Sequence, residues 1–152
     1  MDKITVKIIN ESSNDLPQYA TPYAAGMDLR ANLKEPVTLQ PLERRLIPTG
    51  IRIELPEGYE CQIRTRSGLA LKSGITEYHA DFSAIVGTID ADYRGEIGVI
   101  LVNLSDKPFT VNHGERICQM VVARHASVEW QPSDNLAESN RGDGGFGHTG
   151  IK

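Results

Sequence analysis

The chain has 152 residues, with 16 basic and 20 acidic side chains, a net charge of −4 and 39% hydrophobic content. That is the size of one ordinary domain, long enough to bury roughly 70% of its unfolded surface without staples. The charge balance excludes a strongly basic binder of nucleic-acid polymers, so any polyanion held here must be small and met by a local basic cluster.

From the N-terminus, Met1-Asp2-Lys3-Ile4-Thr5-Val6 carries no basic start, apolar run or small-residue cleavage site of a signal peptide. The longest apolar stretch, 99–102, is far too short for a membrane span, so a soluble cytoplasmic protein is expected. Strands are predicted at 5–9, 46–47, 51–55 and around Ile63, then at 97–104, 109–111, 117–123 and 128–130. Ile51, Ile53 and Leu55 alternate with polar neighbours, whereas 99–102 is apolar throughout, as in a strand covered on both faces. Eight prolines and fourteen glycines punctuate these runs, and only 67–73 reads as a helix. Many short strands with turns between them predict an all-β sandwich or jelly roll rather than an α/β fold. Cys61 and Cys118 stand alone, which makes neither a zinc site nor a disulfide framework and suits a reducing compartment.

Five segments carry possible chemistry. Ala25-Gly26-Met27-Asp28-Leu29 sets an acid in a strand-like apolar run, where it is either paired structurally or serves a metal. Arg64-Thr65-Arg66-Ser67-Gly68 places two cations, a hydroxyl and a glycine where a strand enters the short helix. That is an anion site or a solvated basic edge with Ser67 as helix N-cap. In 87–96, Asp92 to Gly95 has turn chemistry, which predicts a hairpin with Asp90 near its mouth. Asp90, Asp92, Tyr93 and Arg94 are then either turn residues or a base, a ring and a charge presented to one pocket. In 114–119, Arg116 and Gln119 open an otherwise apolar strand. The tail from Ser133 is polar to Asn140, and 141–150 then holds five glycines in ten residues. Such a segment cannot hold itself folded. It is either a loose end or an arm that orders over a phosphorylated, flat-ringed ligand.

Together and in this order, AGMDL at 25–29, RSGLA at 66–70, GTIDADYRGEIG at 87–98, GERICQM at 114–120 and RGDGGFGHTG at 141–150 carry a resemblance. The chain resembles the trimeric dUTPase family (deoxyuridine 5′-triphosphate nucleotidohydrolases) over essentially its whole length. The resemblance implies an all-β fold, a distorted jelly roll or β-clip-type barrel with one short helix and a flexible glycine-rich C-terminal arm. It implies a β domain over 1–132 and an arm over 133–152 that closes on the active site of a neighbouring subunit, in a homotrimer. The implied reaction is Mg²⁺-assisted hydrolysis of dUTP to dUMP and pyrophosphate, which lowers dUTP and supplies dUMP for thymidylate synthesis.

By the same resemblance, Asp90 is the general base for the water that attacks the α-phosphorus, and Gln119 lies near that water. An aspartate is a weak base towards free water, so the barrier must fall mainly through charge stabilisation on the phosphates. Asp28 holds the metal through its water shell. Arg66, Ser67 and Gly68 bind phosphate; Arg141 and Thr149 reach the γ-phosphate, and Phe146, beside Gly147, stacks over uracil. Ala84, Thr88, Ile89 and Gly98 line the base pocket, where main chain selects uracil over cytosine, and Tyr93 lies against the deoxyribose. Thr65, Cys118 and His148 replace the family's usual proline, alanine and serine. The segment 76–86 is longer than the family norm and lacks its asparagine. Two alternatives remain: a nucleotide-binding regulatory module with catalysis weakened by the 76–86 loop, and a dCTP deaminase.

Overall fold

The structure is a computed structural model and describes residues 3–73, 75–77 and 87–145. The strands in chain order are β1 (Lys7–Asn10), β2 (Met27–Arg30), β3 (Val37–Leu39), β4 (Arg44–Pro48), β5 (Ile51–Glu54) and β6 (Tyr59–Arg64). After helix α1 (Ser67–Ser73) come β7 (Ile75–Glu77), β8 (Gly87–Ile89), β9 (Gly98–Asn103), β10 (Phe109–Val111) and β11 (Arg116–Arg124). They pair antiparallel into four small sheets: β1-β5, β10-β3, β2-β11-β6-β8 and β4-β9-β7. The all-β class with one short helix holds, and the described strands form no closed barrel.

One core joins the four sheets. Leu29, Leu39, Ile47, Ile53, Ile63, Leu101, Val111 and Met120 belong to a single buried cluster with side chains from every sheet. The period of two does this sorting: β5 alternates buried isoleucines with half-buried Arg52 and Glu54. In β11 the register slips between Arg116 and Cys118, and Ile117 and Cys118 are buried in succession. A bulge of this kind redirects neighbouring side chains, here next to Arg116. Buried Asn103 donates to the carbonyls of Leu39 and Lys107 and accepts from the N–H and hydroxyl of Ser105, so its burial carries no unmet polar group.

Three expectations change. The segment 128–130 is not a strand: Val128 and Trp130 are 68% and 86% exposed, with no partner strand among the described residues to pair with. The turn after β8 exists, since Tyr93 N–H donates to Asp90 O at 3.1 Å, but its flanks do not pair as a hairpin. β8 joins β6 while β9 joins β4 and β7, so the turn crosses from one sheet to another. In the predicted doubly covered strand, Ile100 is 43% exposed, and only its neighbours are covered. No helix among the described residues is long and apolar enough to cross a membrane.

Candidate active site

The first cleft lies across the middle of the four-stranded sheet. Gln119 on β11 stands opposite Asp28 on β2 and, on its other side, opposite Arg64 on β6. Their neighbours Met120, Met27 and Ile63 form the matching row on the core side, so the polar three share the outer face. Gly26 makes room for the glutamine: a Cβ there would sit 2.9 Å from Gln119 Oε1 and 3.3 Å from its Cβ. A side chain at position 26 would therefore displace the amide end of Gln119, two strand positions away.

Asp28 carries most of the charge organisation. Its Oδ1 lies 2.9 Å from Arg66 Nε and its Oδ2 3.2 Å from Arg116 Nη1. The Arg116 contact is a hydrogen bond. The Arg66 contact is close in distance but not aligned, because the buried Nε of Arg66 has no hydrogen-bond partner. Arg66 Nη1 donates instead to Arg116 O at 3.2 Å. One carboxylate thus gathers two guanidinium groups at the edge of an open cleft of about 430 Å³, lined also by Arg64, Thr65, Gly26 and Gln119. Arg64 itself is turned aside, with Nε donating to Gln62 Oε1 at 3.1 Å.

The helix start differs from the expectation in one detail. The carbonyl of Arg66 accepts from Leu69 and Ala70 N–H, which makes Arg66 the N-cap and Ser67 the first helical residue. Ser67 and Gly68 are exposed, and nothing in the chain comes within 4 Å of where a Gly68 Cβ would be.

The second cleft, about 290 Å³, holds Asp90, Tyr93, Thr88, Ile89, Gly98, Glu96, Leu46 and Ile100. Its frame is stitched from the turn at Thr49-Gly50. Thr49 Oγ1 donates to Ile97 O at 2.6 Å, Gly50 N–H to Glu96 Oε1 at 2.7 Å and Ile97 N–H to Ile51 O at 2.8 Å. Gly50 has φ +71°, and a Cβ there would strike Ser12, so only glycine fits this turn. Tyr93 folds back over Gly95, and its hydroxyl donates to Glu96 O at 3.0 Å, which fixes the ring as a wall. The Arg94 guanidinium caps its own turn by donating to Ala91 O and Tyr93 O, so it is bound up in structure.

Asp90 and Gln119 do not meet within one chain. Ile89 is level with Cys61 on β6 while Gln119 is level with Arg64, a shift of three residues, with β6 lying between β8 and β11. Strand geometry makes that about 10 Å along the sheet and about 10 Å across it, roughly 14 Å in all. Side chains stand roughly perpendicular to a sheet and do not close such a gap. Each cleft is half of the expected constellation.

Among the described residues no three His, Cys, Asp or Glu side chains converge on a metal position. Asp28 is a single carboxylate, 22% exposed, with both oxygens already on arginines. That set fits a hydrated Mg²⁺ borne by a triphosphate and touched through water, and does not fit a protein cage.

Of the remaining expected site residues, Thr88 is exposed and Ile89 half-buried on β8, and Gly98 opens β9. Arg141 is exposed and its Nε donates to Gly144 O at 2.7 Å. Ala84, Phe146, Gly147 and Thr149 lie outside the described residues. Sequence reasoning missed Leu46, Thr49, Glu96 and Arg116's link to Asp28. A Thr-Gly turn between two predicted strands was the available signal for Thr49.

A family model described as dUTPase matches residues 12–150. The chain is similar to the deoxyuridine 5′-triphosphate nucleotidohydrolase of Finegoldia magna, 55% identical over 96% of this chain and 99% of that one. It is also similar to the protein of the same name from Fusobacterium nucleatum, 49% identical over 99% of each chain. Among solved structures, the dUTPase of Staphylococcus bacteriophage 80alpha with dUPNHPP superposes at a TM-score of 0.86. That chain is 25% identical, with 98% of this chain and 100% of that one covered.

Proposed function

We infer that this chain, which belongs to the dUTPase family, is a dUTP diphosphatase that hydrolyses dUTP to dUMP and pyrophosphate with Mg²⁺. The observation that carries the residue-level account is the division of the site into two clefts, one arginine-rich around Asp28 and one holding Asp90 and Tyr93. A nucleoside triphosphate has the same division, charge at one end and a flat ring at the other.

In this account the jelly-roll-like body spans 1–132, and 133–152 is an arm that closes over a neighbouring subunit's site. The protein is a cytoplasmic homotrimer, and the gap between Asp90 and Gln119 is closed by pairing the Asp90 cleft of one copy with the Asp28 cleft of the next. Arg66, with Ser67 and Gly68, holds the phosphates, and the open space over Gly68 suits the approach of a ligand. Gln119, seated on Gly26, orients a water, and Asp90 takes its proton as the oxygen attacks the α-phosphorus. Thr88, Ile89 and Gly98 hold the base with Ala84, and Tyr93 packs against deoxyribose. Arg141 and Thr149 reach the γ-phosphate while Phe146 and Gly147 cover the ring. Asp28 would hold Mg²⁺ through the metal's water shell, and the metal would supply charge neutralisation on the phosphates and the leaving pyrophosphate.

The deaminase and regulatory-module readings are not favoured by the names of the relatives. The test is pyrophosphate release from dUTP compared with dCTP, dTTP and UTP, with and without Mg²⁺. Release from dUTP alone and only with the metal is expected. Ammonia release from dCTP, or dUTP binding without pyrophosphate release, contradicts it.

A further inference from the structure

We propose that Leu46, a residue outside the five motif segments, is the apolar floor on which the pyrimidine ring rests. The inference deepens the dUTP diphosphatase reading and rests on it. β4 and β9 pair with Leu46 opposite Ile100 and Pro48 opposite Gly98. Ile47 and Val99 are fully buried, so alternation turns Leu46, Ile100 and Gly98 to the outer face. Leu46 remains 66% exposed and Ile100 43%, and both line the cleft that holds Asp90 and Tyr93. An exposed leucine at a surface is ordinary, but this one lies over the main chain of Gly98. A Cβ on Gly98 would come within 2.6 Å of Leu46 Cδ1. The missing side chain at position 98 is what lets the leucine lie flat across the cleft. Tyr93, tied by its hydroxyl to Glu96 O, closes the same cleft on the side assigned to the deoxyribose. The result is a slot with an aliphatic floor and main-chain edges for one flat ring, with Tyr93 on the sugar side and Asp90 at its mouth towards the α-phosphate.

Two variants test this. Leu46→Ala should raise KM for dUTP roughly 10-fold, the lower end for loss of apolar contact in a pocket, with kcat nearly unchanged. It should weaken binding of dUMP by a similar factor and leave binding of inorganic tripolyphosphate unchanged. Gly98→Ala should displace the flexible end of Leu46 into the slot and raise KM at least as much. In the double variant the two effects should not multiply, because the second change removes the atoms that the first displaces. An unchanged KM in Leu46→Ala, equal weakening of tripolyphosphate, loss of the oligomer in that variant, or multiplying effects in the double variant would each overturn the floor role. Absence of dUTP turnover in the unaltered protein would instead overturn the reading on which the inference rests.

Discussion

The two clefts are built by different physics. Around Asp28, charge does the arranging: one carboxylate gathers Arg66 and Arg116, and a bulge in β11 beside Arg116 breaks the strand register there. Around Asp90, main chain and apolar side chains do it: a stitched Thr49-Gly50 turn, a ring folded over Gly95 and a leucine laid over Gly98. The first arrangement suits a mobile, highly charged ligand whose oxygens are interchangeable. The second suits a rigid ring whose edges must be told apart. The two sets stand apart in one chain, the charged one on β2, β11 and the end of β6, the shape-reading one on β8, β9 and β4.

The largest effect is expected at the shape-reading half. Asp90→Asn should lower kcat by about 10²–10⁴ while the protein folds and binds dUTP as before. Near-normal turnover, measured as pyrophosphate release, would remove Asp90 from its role. Truncation after Asn140 should cost roughly 10² in turnover, through lost contacts at both ends of the substrate, with the oligomer unchanged in size by sedimentation. Unchanged turnover would leave the arm without a part in catalysis.

At the charged half, Gly26→Ala should push the Gln119 amide off its seat and lower kcat about 10-fold. The Gln119→Ala background should absorb that loss, and full additivity of the two changes would break the link between them. The smallest effect concerns β6, the strand that joins the halves. Burial, with a smaller push from Glu60, raises the Cys61 thiol from 9.0 to about 12. A raised value means that stability is fully present below about pH 9. As pH rises further, the unfolded thiol loses its proton while the folded one keeps it, and stability falls by at most about 1.4 kcal/mol per pH unit. Urea unfolding of Cys61→Ala across pH 8–11 should lose that slope, and native Cys61 should resist alkylation at neutral pH.

Much of this was legible in the residues. The helix at 67–73 and the strand at 109–111 fall where predicted, because glycine, proline and serine punctuation sets their ends. The motif segments pointed to Asp28, Arg66, Asp90 and Gln119 through their order along the chain. Local pattern failed where partners decide. Val128 and Trp130 have the alternation of a strand, yet a strand needs a neighbour to pair with, and here both lie exposed. The short β3 and β7 are not predicted from the sequence, and their existence depends on pairing with β10 and β9. The 87–96 segment reads as a hairpin because its turn chemistry is local, whereas its flanks pair with β6 and β4, far away in sequence. Leu46 itself looked like one more strand leucine, since nothing in a sequence marks which side of a strand a glycine two rungs away has left open.

Subunit mixing tests most directly whether the halves belong to different copies. Asp90→Asn and Arg66→Ala variants, each nearly inactive alone, are unfolded together and refolded at equal concentration. If a site takes Arg66 from one copy and Asp90 from the next, random trimers should regain about one quarter of the unaltered turnover, because one site in each mixed trimer is then intact. No recovery at any mixing ratio, with mixed trimers verified by mass, would place both residues in the site of a single chain and contradict the account.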